Sequence, residues 1–211
     1  MSTESTPPTA ARPGRRRSEE SRRAILVAAF ELIGEVGYAG LTIEGIATRA
    51  GCGKQTIYRW WRSKADVLLD ALSAKGELYI TTADHGSYRD DLRAFLADTY
   101  RLAGHRQVTD VLRALMAEAQ IDAEFGERFR TGFLERRRDA LRVILDRAAH
   151  RGDLPAHPEP STVLDLVFGT LWYRVLTARP VEGGLADELL AVLAPDLGRG
   201  SPPAGRGGRT T

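Results

Sequence analysis

The sequence has almost no cysteine and no long apolar run. One cysteine occurs among its 211 residues, which excludes an internal disulfide framework. No segment approaches the roughly 18 to 20 consecutive apolar residues of a membrane span, and residues 1–13 lack the apolar stretch of a signal peptide. We therefore expect a cytoplasmic protein that has no membrane partner.

Motifs for catalysis and metal binding are also missing. The sequence has no Gly-x-Gly-x-x-Gly after a strand, no Gly-Lys-Ser phosphate loop and no Gly-x-Ser-x-Gly elbow. The four histidines lack the paired spacing of metal ligands: His85, His105, His150 and His157. We predict no catalytic residues, no metal and no cofactor.

Charge is unevenly divided along the chain, although the net charge is only +2. Residues 1–64 carry 11 basic and 6 acidic side chains, whereas residues 65–197 carry 16 basic and 22 acidic ones. A hydrophobic content of 43% is enough to form a core. The basic end is the one expected to bind nucleic acid.

Residues 41–64 have the pattern of two short helices joined by a glycine turn. Thr42 stands at an N-cap position and Glu44 follows in the first turn, so a helix should begin between them. Gly51 can adopt the left-handed conformation that ends a helix. A second helix, residues 54–60, turns a polar, cationic and aromatic face outward. This layout predicts a helix-turn-helix that reads the DNA major groove, and a hairpin with a solvated second helix is the alternative.

The same segment resembles the amino-terminal signature of the TetR family of transcriptional repressors, from near Ser18 to about Leu69. The resemblance is carried by Thr42-x3-Ile46-Ala47-x2-Ala50-Gly51 and then Ile57-Tyr58-x2-Trp61-x2-Lys64. The chain departs from the family at Cys52, Gly53 and Trp60. Glycine is a weaker N-cap than serine. Cys52 is interpreted as a small apolar residue, with oxidant sensing as the alternative.

The resemblance implies which side chains contact DNA. Lys54, Gln55 and Thr56 would enter the groove, while Tyr58, Trp60 and Lys64 would approach phosphates. Glu44 could accept from a cytosine amino group or act only as a surface acid that favours the helix dipole. The predicted DNA-binding residues are Thr42, Glu44, Lys54, Gln55, Thr56, Tyr58, Arg59, Trp60 and Lys64.

The pattern along the rest of the chain is helical, and we predict an all-α protein of about nine helices. A disordered basic arm over residues 1–17 precedes the helix-turn-helix domain over residues 18–63. The first helix is expected to start after a cap at Ser18 and to break at Gly34 and Gly37. A helical ligand-binding and dimerisation domain follows over residues 64–197, and its first helix should end near residues 84–87. Residues 198–211 form a disordered tail.

The eighth predicted helix, residues 162–178, is apolar nearly all round, so a partner subunit is expected to cover one side of it. Burial within one subunit is the alternative. With the ninth helix it would form a four-helix interface, which the family resemblance also implies. The predicted dimer-interface residues are Leu164, Phe168, Leu171, Val175, Leu189 and Val192.

The body is also expected to bind a small molecule of apolar or aromatic character. Phe125, Phe129 and Phe133 form a stripe at successive i+4 steps, which core packing alone would also explain. The predicted ligand-binding residues are Leu72, Tyr79, Phe95, Tyr100, Arg113, Met116, Gln120, Phe129, Phe133 and Trp172.

These features together predict a ligand-responsive homodimeric repressor. It would bind a near-palindromic operator in double-stranded DNA through the major groove. An activator or a constitutive DNA-binding protein of the same fold is the alternative. A helical enzyme with an unrecognised site is a further one.

Overall fold

The computed structural model describes residues 13–195, and all regular structure in this range is helical, which confirms the all-α prediction. A π turn, Arg130–Glu135, joins α7 and α8 into one continuous rod. Counted in this way, the described residues form the nine helices expected. The helices are α1 Pro13–Gly40, α2 Ile43–Arg49, α3 Lys54–Tyr58, α4 Lys64–Tyr79, α5 Tyr88–Gly104, α6 Arg106–Ile121, α7 Ala123–Phe129, α8 Arg136–Arg151, α9 Pro160–Leu176 and α10 Gly183–Leu193. Residues 1–12 and 196–211, with most of the predicted arm and all of the predicted tail, lie outside the described residues.

Helix α1 differs from its prediction at both ends. It begins at Pro13, not after a cap at Ser18, so residues 13–17 of the expected disordered arm are helical. Proline suits the first turn of a helix because its missing N–H has no partner there in any case. The helix also continues through Gly34 and breaks only at Gly37, whose φ of 66° is left-handed.

Helix α4 ends at Tyr79, earlier than the predicted end near residues 84–87. The helix does not continue because carbonyl groups of residues 82–83 accept hydrogen bonds from α8 and not from amides of a further helical turn. Arg147 on α8 donates to the Thr82 carbonyl oxygen at 3.1 Å and to that of Ala83 at 2.9 Å. These tertiary hydrogen bonds satisfy backbone groups that would otherwise need helical partners.

One hydrophobic core extends from α1 to α10. Helix α4 packs against α1 and α6, α10 packs against α5, and α8 packs against both α5 and α9. Helix α1 also packs directly against α6, so the N-terminal helices contact the body through both α4 and α6. No helix in the described range is long and apolar enough to cross a membrane.

A buried carboxylate fastens the loop between α4 and α5 to α8. Asp91 is 1% exposed and accepts from the His85 amide at 2.6 Å, Arg147 Nε at 3.1 Å and Arg151 Nη2 at 2.9 Å. Burial alone would raise the pKa of Asp91, but the hydrogen bonds and the two guanidinium groups outweigh it and lower that pKa below its ordinary value. The carboxylate is therefore held ionised.

Candidate DNA-reading surface and effector cavity

The turn between α2 and α3 is closed by backbone hydrogen bonds at a left-handed glycine. Thr42 Oγ1 caps α2 by accepting from the Gly45 amide at 3.0 Å. At the other end Gly51 has a φ of 65°, and the next amide, that of Cys52, donates to the Ala47 carbonyl oxygen at 2.9 Å. This is the hydrogen bond of a Schellman motif. The predicted cap and the predicted turn are both present.

The short helix α3 is held by two buried side chains. Ile57 is fully buried, and Trp61, just beyond the helix, is nearly so. Trp61 Nε1 donates to Asp70 Oδ2 on α4 at 2.9 Å, and Arg22 Nη2 on α1 donates to the same oxygen at 2.7 Å. The orientation of α3 is therefore fixed relative to both α1 and α4.

The outward face of α3 presents donors, an amide and aromatic rings to solvent. Gln55, Tyr58 and Arg59 are exposed, and Thr56 is half-buried. Within the described residues, the side chains of Gln55 and Tyr58 form no hydrogen bond, so their polar groups are free to bind another molecule. The Arg59 guanidinium lies 5.8 Å from the centre of the exposed Trp60 ring. This surface has the composition of a DNA-reading helix.

Glu44 is the partner of Lys54 at the start of α3. Lys54 Nζ donates to Glu44 Oε1 at 2.7 Å. This hydrogen bond lowers the pKa of Glu44 and raises that of Lys54. The carboxylate also lies in the first turn of α2, as the dipole argument expects. Its contact with a cytosine stays a prediction.

Lys64 has a structural role that the sequence did not indicate. Its Nζ donates to the carbonyl oxygens of Tyr38 at 2.8 Å and Leu41 at 3.0 Å, and lies 4.3 Å from the centre of the Tyr38 ring. The ammonium thus ties the start of α4 to the end of α1. Only one of its three N–H groups is left for the predicted phosphate contact.

Two of the three residues that depart from the family pattern, Gly53 and Cys52, behave as the sequence indicates. Gly53 is the N-cap of α3 and provides no side-chain hydrogen bond. Cys52 is half-buried, and burial raises the pKa of its thiol, which disfavours the reactive thiolate. Among the residues that the structure describes, no group of His, Cys, Asp and Glu could hold a metal ion.

The body contains a cavity of about 440 Å³ between α4, α5, α6, α8 and α9. This volume lies within the roughly 300 to 1,000 Å³ of small-molecule sites. Three predicted ligand residues line it: Leu72, Phe133 and Trp172. The sequence did not indicate Gly76, Thr99, Arg137 and Arg138, and it placed the lining residues Phe168 and Leu171 at a dimer interface instead.

The remaining predicted ligand residues do not line this cavity. Four of them line a second, more open cleft of about 960 Å³, which shares Trp172 with the more enclosed main cavity: Arg113, Met116, Gln120 and Phe129. Phe95 and Tyr100 are core residues, and Tyr100 donates to the Val167 carbonyl oxygen at 2.9 Å. Tyr79 is half exposed and borders a separate groove. Phe95 and Tyr100 do not line the cavity, and the sequence could not show this because core and cavity walls have the same composition.

Two polar atoms in the wall of the main cavity are buried without a hydrogen-bond partner. They are Thr99 Oγ1 and Arg137 Nε. Burial lowers the pKa of Arg137 from its ordinary value. Gly76 makes room for this side chain, since a Cβ at that position would lie 2.6 Å from Arg137 Nη1. The neighbouring Arg138 is paired with Asp165 at 2.8 Å.

Helix α4 is also joined to α7, which leads into the cavity wall. Asp66 is buried and accepts from Arg128 Nε at 2.9 Å, while Ser63 Oγ donates to its other oxygen at 2.9 Å. A second ion pair, between Arg62 and Glu124, lies beside it. The start of α4 is therefore held by the helix whose continuation carries Phe133 and Arg137.

The four α9 side chains predicted for the dimer interface lie inside the subunit. Leu164, Phe168, Leu171 and Val175 are all buried against the body, which corrects that prediction. Leu189 is half-buried, and Val192 is 66% exposed. The exposed apolar side chains of α9 are different ones: Leu166, Tyr173 and Leu176.

The helix-turn-helix and the body both match family models. The model described as "Bacterial regulatory proteins, tetR family" matches residues 25–71, and "Tetracyclin repressor-like, C-terminal domain" matches residues 82–193, more than half of the chain. The chain belongs to the TetR family. As a TetR family member it is a DNA-binding transcriptional regulator, and α3 lies within the matched helix-turn-helix.

Relatives of known name agree with this assignment to the TetR family. The HTH-type transcriptional regulator YdeS of Bacillus subtilis is 32% identical, with 77% of this chain and 82% of the relative covered. A DNA-binding transcriptional repressor TetR of Mycobacteroides abscessus is 26% identical, over 84% of this chain and 95% of the relative. The crystal structure of the TetR family regulator SCO0332 superposes with a TM-score of 0.71 at 28% identity, over 83% of this chain and 98% of that one.

Proposed function

We propose that this protein is a homodimeric repressor that releases a near-palindromic operator when a small molecule fills the main cavity. The observation that carries the proposal is the position of α4. Asp70 on α4 is bound by Trp61, which fixes α3, and Asp66 at the start of the same helix is bound by Arg128 of α7. Farther along α4, Leu72 and Gly76 line the cavity. Ten residues of helix span about 15 Å, so one rigid element connects the two sites.

The response requires an effector that binds two states of α4 unequally. A ligand against Leu72 and Gly76 presses on α4 directly, and one against Phe133 acts on the rod that holds Asp66 through Arg128. Either displacement moves Trp61 and, with it, α3. In a dimer the separation of the two α3 helices then departs from the roughly 34 to 36 Å between successive major grooves.

The reading chemistry follows from the exposed face of α3. The amide of Gln55 can donate to and accept from one adenine edge, which gives a sequence preference. Arg59 and Lys54 are cations on the same surface and would bind phosphates irrespective of sequence. The predicted contacts of Thr42 and Lys64 are the weaker ones, since Thr42 Oγ1 caps α2 and Lys64 is tied to α1.

Dimerisation is supported by the outer faces of α9 and α10. Leu166, Tyr173, Leu176 and Val192, on two helices that are consecutive in the chain, are large apolar side chains that are 39% to 66% exposed. A two-fold axis beside these helices would cover them in both subunits and would form a four-helix contact. The predicted four-helix arrangement is retained, with a different set of side chains.

Selection of bound fragments from random duplex DNA, at a stated salt concentration, tests the proposal. We expect an inverted repeat among the selected sequences. Gln55→Ala should relax the preference at one position of each half-site by about 1 to 3 kcal/mol. Arg59→Ala is the matched control on the same helix and should weaken all sequences alike. Selection of a single half-site, or of no sequence at all, would contradict the proposal.

A further inference from the structure

We infer that the effector is an organic anion, most simply a carboxylate on an apolar body, whose headgroup is bound by Arg137 and Thr99 in the main cavity. The inference rests on the proposed function, because it names the chemical class of the effector for that same cavity. Four features of the cavity support it: the charge of Arg137, the hydroxyl of Thr99, the apolar character of the remaining wall and the space left at Gly76.

The first step is the contrast among three consecutive arginines. Arg136 lies 3.8 Å from Glu77, and Arg138 lies 2.8 Å from Asp165. Arg137, between them, is half-buried with its Nε fully enclosed, and it forms neither an ion pair nor a hydrogen bond within the described residues. The Glu77 carboxylate acts on it only at longer range. A guanidinium remains charged in proteins, so burying it without a partner costs free energy. A bound anion would supply the missing partner.

The second step concerns Thr99, which is 5% exposed and lines the same cavity. Threonine in a helix commonly donates its hydroxyl to a carbonyl one turn earlier, yet Thr99 Oγ1 has no partner of any kind in the described structure. Its hydroxyl can donate to the ligand. The guanidinium offers only N–H donors, and the hydroxyl can offer its O–H as a further donor, so the two acceptor oxygens of one carboxylate can satisfy both.

The third step concerns the remaining wall, which is apolar. It is formed chiefly by Leu102, Val108, Leu112, Phe133, Phe168 and Trp172. Asp165 is the only acidic residue of the lining, and Arg138 already neutralises it. A cationic ligand would therefore find no free carboxylate. The ligand expected is small, apolar over most of its surface and negatively charged at one end.

The fourth step is the glycine that faces the guanidinium. Gly76 lies inside α4, where glycine is destabilising by roughly 0.5 to 1 kcal/mol relative to alanine. Alanine there would place its Cβ 2.6 Å from Arg137 Nη1 and 3.2 Å from its Cζ. The glycine therefore permits the position of the charge. It also brings the backbone of α4 directly against the headgroup site, so an anion bound there acts on α4.

Isothermal titration calorimetry of the full chain, without DNA, tests the inference. The probes are straight-chain carboxylates of six to twelve carbons and 4-phenylbutyrate, with octanol and octylamine as neutral and cationic matches for octanoate. We expect saturable binding of at least one carboxylate, and binding at least about tenfold tighter than that of the neutral or cationic match, because a charge-assisted hydrogen bond is at stake. Equal binding of octanol and octanoate, or no binding of any carboxylate up to about 1 mM, would overturn the inference.

Variants locate the headgroup. Arg137→Met and Gly76→Ala should each weaken carboxylate binding about tenfold or more while leaving octanol binding within about threefold. Arg136→Met, exposed on the same helix and outside the cavity, is the control and should change neither. Arg137→Met should also raise the melting temperature of the ligand-free protein, because it removes a half-buried charge that has no ion-pair partner. A fall in melting temperature would mean that Arg137 has a purely structural role, which contradicts the inference.

Failure of the inference is separable from failure of the proposed function. If carboxylates bind through Arg137 but leave DNA binding unchanged, the cavity assignment stands and the repressor mechanism is wrong. If octanol alone binds and also releases DNA, the mechanism stands and the anion assignment is wrong.

Discussion

The N-terminal helices and the body differ in where their polar groups without a hydrogen-bond partner lie. Among residues 18–63 no buried side-chain polar atom lacks a hydrogen-bond partner. The N–H of the buried Trp61 is paired with Asp70, the half-buried Lys64 ammonium with two carbonyl groups, and the exposed Thr42 hydroxyl with an amide. The unpaired groups there, such as Gln55, face solvent. In the body, three buried side-chain polar atoms of the described residues have no partner, those of Tyr88, Thr99 and Arg137. A fourth, Arg128 Nη1, has no hydrogen bond but lies 3.0 Å from Glu124 Oε1.

This difference shows in which part of the molecule the buried polar groups have partners without a ligand. A domain whose interior is fully paired can be rigid, and its binding capacity lies on its surface. A domain with unpaired donors around a cavity gains free energy when a ligand supplies the acceptors. A rigid helix-turn-helix and an adaptable body are the properties that an effector-controlled DNA-binding protein needs.

The largest effect expected is on the rigid side of this comparison. Trp61→Ala should lower the free energy of unfolding by about 3 to 5 kcal/mol, because it removes a buried indole that joins α3 to α4. Trp61→Phe keeps a ring but loses the hydrogen bond to Asp70 and should cost about 1 kcal/mol. Urea unfolding followed by circular dichroism measures both. A loss below about 1 kcal/mol for Trp61→Ala would mean that α3 is not held as described.

A buried charge that is fully paired, Asp91, should contribute stability in the body. Its pKa is lowered in the folded protein relative to about 3.9 in the unfolded chain, so its stabilising effect is present above that value and is lost as the pH falls. Asp91→Asn should cost about 1.5 to 3 kcal/mol at pH 7 and flatten the loss of stability between pH 5 and 3. Urea titrations across this range provide the measurement. Asp146→Asn, exposed on α8, is the control and should leave the pH profile unchanged.

The ion pair between Arg128 and Asp66, which joins α7 to α4, should control how strongly effector binding changes operator affinity. Arg128→Met removes the partner of Asp66 and should reduce the coupling between effector and operator by about 0.5 to 2 kcal/mol. Fluorescence anisotropy titrations of the selected operator, with and without the carboxylate that binds most tightly, measure the ratio of affinities. Arg130→Met, exposed on the same rod, should leave the ratio unchanged. If Arg128→Met also leaves it unchanged, coupling does not pass through Asp66.

The smallest effect concerns the two glycines of the DNA-reading turn. Gly53→Ser adds the missing N-cap of α3 into open space and should stabilise the protein by a few tenths of a kcal/mol. Gly51→Ser has open space too, but its φ of 65° should make it cost about 1 kcal/mol. Thermal melting of the pair provides the comparison. Equal effects would refute the left-handed turn at Gly51.

Local signals in the sequence were sufficient to predict the helix-turn-helix. A cap at Thr42 and a glycine at Gly51 act within one or two turns of chain, so their effect on structure does not depend on distant residues. The continuous rod with its phenylalanine stripe was also recognisable from spacing. The end of α4 was not, because tertiary hydrogen bonds from Arg147 determine it.

The cavity wall depended on packing that the sequence does not display. Helix α9 is apolar all round, and only the fold shows that Phe168 and Leu171 face the cavity while Leu166 and Tyr173 face outward. Arg137 stands in a run of arginines, a pattern more typical of a solvated surface. One signal was nevertheless present, since Arg137 continues the i+4 series of the phenylalanine stripe.

That alignment depends on the π turn between α7 and α8. In an α-helix each i+4 step drifts by about 40° around the axis, so a stripe of four members would wind away from one face. The wider π turn opposes this drift and keeps the Phe129 and Phe133 rings stacked with centroids 5.7 Å apart. Deleting one residue from it would rotate α8 by about 100° and turn the guanidinium outward. Gain or loss of one codon at this turn could therefore alter, in a single evolutionary event, whether such a regulator senses acids or uncharged molecules.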